Sequence, residues 1–309
     1  MFAHNGDVRL YWEERGPADG APMLLIMGLG AQLIAWREGF CDRLAERGFR
    51  VIRFDNRDVG WSTMTDAVPL SFPEMATLFG PRSRRRPVPY TLSDMAADAA
   101  AVLDAAGAPD AHVVGASLGG MIAQTLAIEQ PERVRSLTSI MSKTGAPHVG
   151  LPTPRVLRKV MQPTPLERTA ALAYELERAE VTCGSLFDRA AMAAFLEEAH
   201  ERAPDRTGMV FQLTAMFASG DRTAALRQLD VPTLVIHGRE DGLVRLSGGV
   251  ATARAVPGAA LHVHSRMGHD LPSPLWPELV DSIAAHAHRS DADSDFDAER
   301  FGGSVAATG

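Results

Sequence analysis

The chain has little of what would build a disulfide framework, a membrane span or a nucleic-acid surface. Its 309 residues include two cysteines, Cys41 and Cys183, and neither stands in a CxxC or Cys/His metal-binding spacing. We therefore expect reduced cysteines and no metal site. The longest apolar stretch, APMLLIMGLGAQLIAW, is broken by Gly28 and Gly30 and is shorter than the ~20 residues that cross a bilayer. Acidic residues outnumber basic ones, 38 to 31, and the net charge of −7 disfavours nucleic acid as a partner.

The two ends of the chain carry further expectations. The first residues, MFAHNGDVRLYWEERG, lack a basic segment followed by an apolar run, so we predict no secretory signal and a cytoplasmic location. Residues 291–309 are acidic and then small and polar, a composition typical of a disordered tail.

Between the ends, short apolar runs alternate with helical patterns. The runs PMLLIMG, RVIRFDN, HVVGA, SLTSIM, PTLVIHG and ALHVHS are continuously apolar, which is typical of strands buried on both faces of a parallel sheet. VRLYWEE alternates and predicts an edge strand. The segment TLSDMAADAAAVLDAAG predicts a helix capped by Thr91 or Ser93 and ended by Gly107. The fold class predicted is α/β, with a mostly parallel sheet between two layers of helices.

The alternation stops between about residues 147 and 229, where only helical patterns occur. We predict a core formed by residues 1–146 and 230–290, and a helical cap, residues 147–229, over one end of the sheet. The segment before Pro89 contains a basic run with Arg82, Arg84, Arg85 and Arg86. It is either a solvated surface loop or a feature that steers anionic substrates.

The segment Gly115-Ala116-Ser117-Leu118-Gly119 is a GxSxG pattern between a predicted strand and a predicted helix. Chemistry at a serine hydroxyl needs this context, because a sharp turn lifts the hydroxyl out of the sheet. The helix that follows directs backbone N–H groups and partial positive charge at a developing oxyanion. The alternative is that the small residues serve packing alone. We predict that Ser117 is a nucleophile.

A serine nucleophile needs a base, and the base needs an acid. His269 begins a loop directly after the strand run ALHVHS, at the sheet edge where ligands bind in open α/β folds. Asp241 follows the run PTLVIHG, and the adjacent Glu240 is interpreted as a solvated charge. The order Ser117, Asp241, His269 is that of α/β-hydrolases. The alternative for His269 is a histidine that is merely hydrogen-bonded in a loop.

The segments VIRFDNRDVGWST, YTLSDMAADAAAVLDAAG, HVVGASLGGMIAQTLAIEQPERV and SRMGHDLP resemble α/β-hydrolases, in particular the esterase branch that includes aclacinomycin methylesterase. The resemblance implies an α/β-hydrolase fold with Ser117 as nucleophile, Asp241 as acid and His269 as base. It also implies that Asp55 and Arg57 hold the loop after their strand.

The resemblance further places an oxyanion hole in the loop after PMLLIM, where the amide of Leu29 would pair with that of Leu118. The alternative is that the glycines of this loop only make a turn. Candidate substrate-binding residues are Met27, Gly28, Trp36 and Met121, with core packing as the alternative for the three side chains.

The combined prediction is a serine carboxylesterase that acts through an acyl-enzyme on small to medium apolar esters, a methyl ester among them. Lactone, amide or C–C bond hydrolysis and perhydrolysis use the same groups and stay open. A non-catalytic small-molecule binder is the alternative from another class. Residues 28–30 do not form a GxGxxG fingerprint, so we expect no dinucleotide cofactor.

Overall fold

A computed structural model describes residues 1–70, 74, 87–165, 167–205 and 207–301, with side chains as far as residue 293. The basic run from Arg82 to Arg86 lies outside the described residues. Within the described ranges, no helix combines the length and the hydropathy that crossing a bilayer requires.

One mixed sheet organises the described part of the chain. Its strands are β1 Phe2–Asn5, β2 Val8–Arg15, β3 Ala21–Ile26, β4 Phe49–Phe54, β5 Ala111–Ala116, β6 Val134–Ile140, β7 Thr233–Gly238 and β8 Ala260–His264. The spatial order is β1-β2-β4-β3-β5-β6-β7-β8. Strands β1 and β2 are antiparallel to their neighbours, and β3 to β8 run parallel. The predicted mostly parallel sheet is confirmed.

Helices follow most of the parallel strands. They are α1 Glu38–Ala45, α2 Leu92–Ala105, α3 Leu118–Glu129, α4 Pro154–Val160, α5 Arg168–Thr182, α6 Arg189–Arg202, α7 Met209–Ser219, α8 Thr223–Leu226, α9 Ser247–Ala255 and α10 Trp276–Phe301. Helix α2 begins at the predicted cap, since the Thr91 amide donates to the Asp94 carboxylate at 2.7 Å. Ser93 lies inside that helix and donates instead to Glu129 at 2.6 Å.

The apolar strands β3 to β7 are largely buried on both faces because each face has its own helical layer. Strand β8, formed by the run ALHVHS, differs from the prediction: it is the edge of the sheet, and Val263 is 40% exposed. In β3, Leu24 and Ile26 belong to a core cluster with α2 and α3. Met23 and Leu25 point the other way, into a second cluster with α1 and α10. Successive side chains of a strand alternate between faces, so a run without polar residues is what a doubly covered strand requires.

The amino-terminal strands form a hairpin that differs from the prediction. The run VRLYWEE forms β2, but it is the second strand and not the edge. Strand β1 pairs along its outer side, from Phe2 opposite Tyr11 to Asn5 opposite Val8. The alternation of polar and apolar residues reflects one solvent-facing surface of β2, which a strand next to the edge can also have.

Five helices, α4 to α8, lie between β6 and β7, in the region where the sequence lacks strand patterns. At the other end of the chain, α10 continues to Phe301. The helix therefore includes the first eleven residues, 291–301, of the predicted tail, and disorder of the tail stays a prediction. Residues 302–309 lie outside the described residues.

The loop after β4 is held by a buried ion pair. The Arg57 guanidinium donates to both Asp98 oxygens, at 2.5 and 2.7 Å, and stacks over the Tyr90 ring. The Asp98 side chain is 2% exposed and also accepts from Asn5 at 2.9 Å. This bidentate pair joins the loop, α2 and β1, in line with the structural role that the resemblance implies for Arg57.

We expect Arg57→Ala to destabilise the fold by about 3–5 kcal/mol, because it leaves the Asp98 carboxylate buried without its counter-charge. The free energy of unfolding in urea measures this loss. Arg189→Ala is the matched control, since the Arg189–Glu180 pair is exposed and should contribute less than about 1 kcal/mol. Equal losses in the two variants would contradict the role given to the buried pair.

Candidate active site

The predicted site residues come from four loops at one edge of the sheet. Parallel strands β3, β5, β7 and β8 end on the same side, and the loops that follow them carry residues 27–30, Ser117, Asp241 and His269. In open α/β sheets this edge is where ligands bind. The strand order therefore brings together segments that are up to 242 residues apart, the distance in sequence from Met27 to His269.

Ser117 occupies a strained turn between β5 and α3. Its backbone angles are φ 56° and ψ −118°, a region that residues with a side chain rarely adopt. The turn is tight because its neighbours lack side chains. A Cβ on Gly115 would overlap the backbone of Gly119, and a Cβ on Gly119 would overlap the Ile26 carbonyl. The glycines of the pattern are thus required by backbone contacts.

A second close contact, between Gly120 and Ser142, holds the same turn. A Cβ on Gly120 would lie 2.6 Å from the Ser142 side chain, and Ser142 Oγ donates to the Ser117 carbonyl at 2.7 Å. The Ser117 amide donates to the Ile140 carbonyl at 2.9 Å. The nucleophile candidate is therefore anchored through both its backbone groups to the end of β6, and its side chain is half-buried.

The three predicted polar groups form a hydrogen-bonded chain. Ser117 Oγ lies 2.9 Å from His269 Nε2, and His269 Nδ1 lies 2.8 Å from Asp241 Oδ2. The carboxylate can only accept, so Nδ1 carries the proton and Nε2 is free to accept from the serine hydroxyl. This tautomer is the one in which an imidazole acts as a general base toward a serine.

Asp241 is an enclosed carboxylate with several donors. Its side chain is fully buried, and Oδ1 accepts from the amides of Leu243 and Val244 at 2.9 and 2.8 Å. Burial by itself would raise the pKa of Asp241, but the charge of His269 and hydrogen bonds from His237 and His269 outweigh it and lower the pKa to about 2. Asp241 is therefore ionised throughout the neutral range.

The ionised Asp241 carboxylate influences the pKa of His269. Burial by itself would lower the pKa of His269, but the Asp241 charge and hydrogen bond outweigh burial, and the net pKa is raised. The nearby Asp270 adds to the rise. A base with a raised pKa takes up the proton of a hydroxyl more readily, provided that the solution pH keeps it neutral at the start.

His237 is a second histidine beside Asp241, and no pattern in the sequence predicts this contact. Its Nε2 lies 2.7 Å from the Val244 carbonyl and 3.5 Å from Asp241 Oδ2. Because the Val244 carbonyl can only accept, His237 Nε2 carries a proton, and this N–H also faces the Asp241 carboxylate. His237 is the fifth residue of the apolar β7 run, so its sequence position indicates a core strand and gives no sign of this contact.

The loop predicted to supply an oxyanion donor adjoins the serine. A Cβ on Gly28 would lie 3.1 Å from Ser117 Cβ and 3.6 Å from Oγ. Asn56 donates to the Met27 carbonyl at 2.9 Å, which ties this loop to the one after β4. Leu118 is the first residue of α3, so its amide belongs to the unpaired N–H groups of a helix N-terminus.

The structure separates the four candidate substrate-binding residues. Trp36 is completely buried in the core cluster on the α1 side, and Met121 is 2% exposed in the cluster on the other face. Both pack against core side chains, in line with the alternative of core packing, and their place in the substrate pocket stays a prediction. Gly28 contacts Ser117, and Met27 is 7% exposed at the end of β3. Gly28 stays a candidate because it adjoins Ser117, and Met27 stays one because it directly precedes Gly28.

Comparison with known proteins agrees with this architecture. The family model for the alpha/beta hydrolase fold matches residues 21–272, which includes the four loops of the site. The chain belongs to the α/β-hydrolase family.

Among curated relatives of this α/β-hydrolase is the rhodomycin D methylesterase DnrP of Streptomyces peucetius. It is 30% identical over 304 residues, covering 91% of this chain and 96% of the relative. A 2-hydroxy-6-oxononadienedioate/2-hydroxy-6-oxononatrienedioate hydrolase of Burkholderia vietnamiensis is 29% identical and covers 85% of each chain. A solved meta-cleavage product hydrolase of Pseudomonas fluorescens superposes with a TM-score of 0.73 at 20% identity, over 94% of this chain and 98% of the other. The family match and the curated relatives support a hydrolytic enzyme, and the solved structure shows the same fold.

The helices between β6 and β7 contact the site loops of this α/β-hydrolase through buried polar groups. Arg202, the last residue of α6, donates to Asp55 Oδ2 at 2.8 Å and to Gln32 Oε1 at 2.7 Å. Asp55 is fully buried and also accepts from the Leu33 amide at 2.8 Å. Trp61 covers the guanidinium at 4.1 Å from the ring centroid. Asp55 therefore holds the loop after β3 and the helical segment together.

A second junction lies at the base. The His269 amide donates to the Thr182 carbonyl at 2.9 Å, at the end of α5. Next to it, Gly184 and Gly268 touch backbone to backbone, since a Cβ on either would overlap the other chain segment. Asp270 Oδ1 accepts from both their amides, at 3.3 and 3.1 Å. The position of the histidine loop thus depends on the helical segment.

We expect Gly119→Ala to destabilise this enzyme by about 3 kcal/mol or more, which is the upper end of the cost of overpacking. The new methyl group would overlap the Ile26 carbonyl, and a strand backbone cannot move aside as a side chain can. Urea unfolding measures the loss. Gly107→Ala is the control: its φ is +66° with nothing within 4 Å of the added Cβ, so only a backbone cost of about 1–2 kcal/mol is expected. A Gly119→Ala loss no larger than that of the control would refute the close contact.

Proposed function

We propose that this α/β-hydrolase cleaves carboxylic esters through an acyl-enzyme formed on Ser117. The observation that carries the proposal is the chain of hydrogen bonds from Ser117 Oγ through His269 to the buried Asp241, at 2.9 and 2.8 Å. A serine on a strained strand-to-helix turn with such a base is the arrangement that acyl transfer uses. Besides the nucleophile, its base and its acid, acyl transfer at a serine requires hydrogen-bond donors for the oxyanion.

In the proposed reaction, Ser117 Oγ attacks the ester carbonyl carbon as its proton passes to His269 Nε2. The carbonyl oxygen becomes an oxyanion, which the amides of Leu29 and Leu118 would bind. The tetrahedral intermediate collapses and expels the alcohol, which takes the proton from His269. Water then attacks the acyl-enzyme, His269 removes its proton, and Ser117 leaves with that proton as the acid product is released. Asp241 stabilises the imidazolium in both halves.

The substrate class proposed is a small to medium apolar ester, with a methyl ester of a carboxylic acid as the first choice. The methylesterase relative matches along nearly its whole length, which supports this choice. Apolar side chains near the serine support an apolar acyl group. Met27 precedes Gly28 at the end of β3, and Met209 packs against Gly30 in the next part of the loop.

A C–C bond hydrolase is the second candidate, favoured by the relative that covers 85% of this chain. Lactone or amide hydrolysis and perhydrolysis would use the same acyl chemistry on other substrates. A non-catalytic binder on this fold has no need for a histidine hydrogen-bonded to the half-buried Ser117 hydroxyl. The candidates differ in the bond cleaved, so a panel of substrates distinguishes them.

We expect the enzyme to hydrolyse short p-nitrophenyl esters and apolar methyl esters, and Ser117→Ala to reduce kcat by about 10⁶-fold, the loss typical of a missing serine nucleophile. A fluorophosphonate probe should label the unaltered enzyme and not this variant. Ser93→Ala is the control, since Ser93 lies on α2 and contacts Glu129.

Full turnover by Ser117→Ala would refute the nucleophile, and failure of the probe to label the unaltered enzyme would favour the binder. Labelling together with cleavage of a vinylogous 1,5-diketone, and no cleavage of any ester in the panel, would favour the C–C bond hydrolase.

The raised pKa of His269 predicts the pH dependence. The base must be neutral, so kcat/KM should fall as the pH drops through the pKa of His269, above the usual imidazole value of about 6.5. Asp241→Asn removes the charge that raises this pKa and leaves the burial that lowers it. We expect the acid limb of the profile to move to lower pH and kcat to fall about 10⁴-fold, because the imidazole loses its tautomer.

Glu240→Gln is the control for this experiment. Its carboxylate is exposed and accepts from the Ser185 amide at 2.5 Å, so it adjoins Asp241 in sequence without facing the base. An acid limb that moves equally in the two variants, or that moves to higher pH in Asp241→Asn, would contradict the electrostatic coupling.

A further inference from the structure

Gln212 is a completely buried glutamine on α7, and backbone groups of two site loops occupy both ends of its amide. Its Oε1 accepts from the Gly30 amide at 2.8 Å, and its Nε2 donates to the Arg57 carbonyl at 2.7 Å. A backbone N–H can only donate and a carbonyl can only accept, so these partners fix which end of the side-chain amide faces which loop. The glutamine therefore joins the loops after β3 and β4.

The hydrogen bond between Gln212 and Gly30 is the third of three that hold successive peptide groups of the loop after β3. The Met27 carbonyl accepts from Asn56 at 2.9 Å, and the Gly28 carbonyl accepts from the Ala31 amide at 3.2 Å. Gln212 then holds the Gly30 amide. Three consecutive peptide groups are each held by one hydrogen bond, and the Leu29 amide belongs to the middle one.

Peptide groups are planar, so the Leu29 N–H can turn only if the Gly28 carbonyl turns with it. The weak point is the next residue. Gly30 has φ +65° and no Cβ, and glycine can leave such a conformation with little steric cost. The hydrogen bond from its amide to Gln212 is the restraint on that end of the turn.

Helix α7 is itself held firmly, so it can serve as a reference for the loop. Phe211 and Ala215 belong to the core cluster with α2 and α3, and Met209 packs against Gly30, where an added Cβ would lie 3.0 Å from its Sδ. At the start of the helix, a Cβ on Gly208 would overlap the backbone of Asp58. The glutamine thus projects from a fixed helix, 182 residues after Gly30 in sequence.

We propose that Gln212 is a positioning residue for the oxyanion hole, which keeps the Leu29 amide directed at the reacting carbonyl by holding the Gly30 peptide. The inference rests on the proposed acyl transfer, because that reaction develops the oxyanion. Gln212 touches no reacting atom and acts through the loop. Its effect should therefore fall on the transition state, where the oxyanion exists, and little on substrate binding.

The test compares Gln212→Leu with the unaltered full-length enzyme. Loss of a whole oxyanion donor reduces kcat by about 10²–10³-fold. We expect a smaller reduction, about 10- to 100-fold per active site, from a donor that is present but less well oriented. KM should change by less than about 3-fold. Active sites are counted by titration with the fluorophosphonate to its endpoint, so that misfolded protein does not enter kcat.

A second readout does not depend on turnover. An aryl trifluoromethyl ketone forms a tetrahedral adduct with a serine hydroxyl and places an oxyanion where the transition state would. Its affinity for Gln212→Leu should weaken by about the same factor as kcat. If the enzyme turns over no ester but its serine is still labelled, ester hydrolysis is refuted, while the ketone affinity still tests Gln212.

Gln124→Leu is the matched control. Gln124 is a second completely buried glutamine, on α3, and its amide donates to Ser139 at 3.1 Å and accepts from Arg222 at 3.4 Å. It should lose comparable stability and keep kcat per active site and ketone affinity. Gln212→Glu is the conservative variant, because an oxygen remains for the Gly30 amide, and it should retain more ketone affinity than Gln212→Leu.

Normal kcat per active site and normal ketone affinity in Gln212→Leu would overturn the proposal. So would losses in Gln124→Leu of the same size, because those would report general loosening of the core. If Gln212→Leu does not fold, the ketone affinity of Gln212→Glu decides, and Leu29→Pro, which lacks the Leu29 amide, is the reference. An affinity closer to that of the unaltered enzyme than to that of Leu29→Pro supports the role of Gln212. An affinity equal to that of Leu29→Pro refutes it.

Discussion

The strained backbone at Ser117 is the constraint on which the rest of the site depends. A residue with φ 56° and ψ −118° stores about 1–3 kcal/mol and persists only where its surroundings allow no alternative. Here the surroundings are backbone: Gly115 against Gly119, and Gly119 against the Ile26 carbonyl. Because that carbonyl ends β3, the turn that exposes the hydroxyl also fixes how closely the loop after β3 approaches it. One packing contact therefore places both Ser117 and the loop after β3.

The parts of the site that the sequence predicts are those with a local pattern. Ser117 is recognisable because small residues, a strand and a helix must all occur within a few positions of it. Asp241 and His269 are recognisable because each follows a strand run at the same sheet edge. The sheet was likewise predictable from short apolar runs. The prediction that β2 is the edge strand was wrong because alternating polarity shows which face of a strand meets solvent, and it does not show how many strands pair with it.

Gln212, Arg202 and His237 show what the sequence could not predict. Gln212 and Arg202 bond partners far away in the chain, such as Gly30 for Gln212 and Asp55 for Arg202. His237 faces Asp241, four residues later, only because of the way the loop after β7 folds. A glutamine in the helical run MVFQLTAMF has no local feature that distinguishes it from a surface residue. Trp36 and Met121 lie in the core clusters on opposite faces of the sheet, because proximity in sequence to a loop or a serine does not decide which face a side chain packs against.

The helical segment between β6 and β7 fixes the positions of the loops that carry the site residues. It holds the loop after β3 through Gln212, Asp55 through Arg202, and the histidine loop through the Thr182 carbonyl. The Gly184–Gly268 contact leaves no room for even a methyl group. Substitutions that move α5 or α7 to admit a different substrate would therefore also move His269 or the Leu29 amide. In the proposed reaction, substrate preference and rate would therefore be coupled through these backbone contacts.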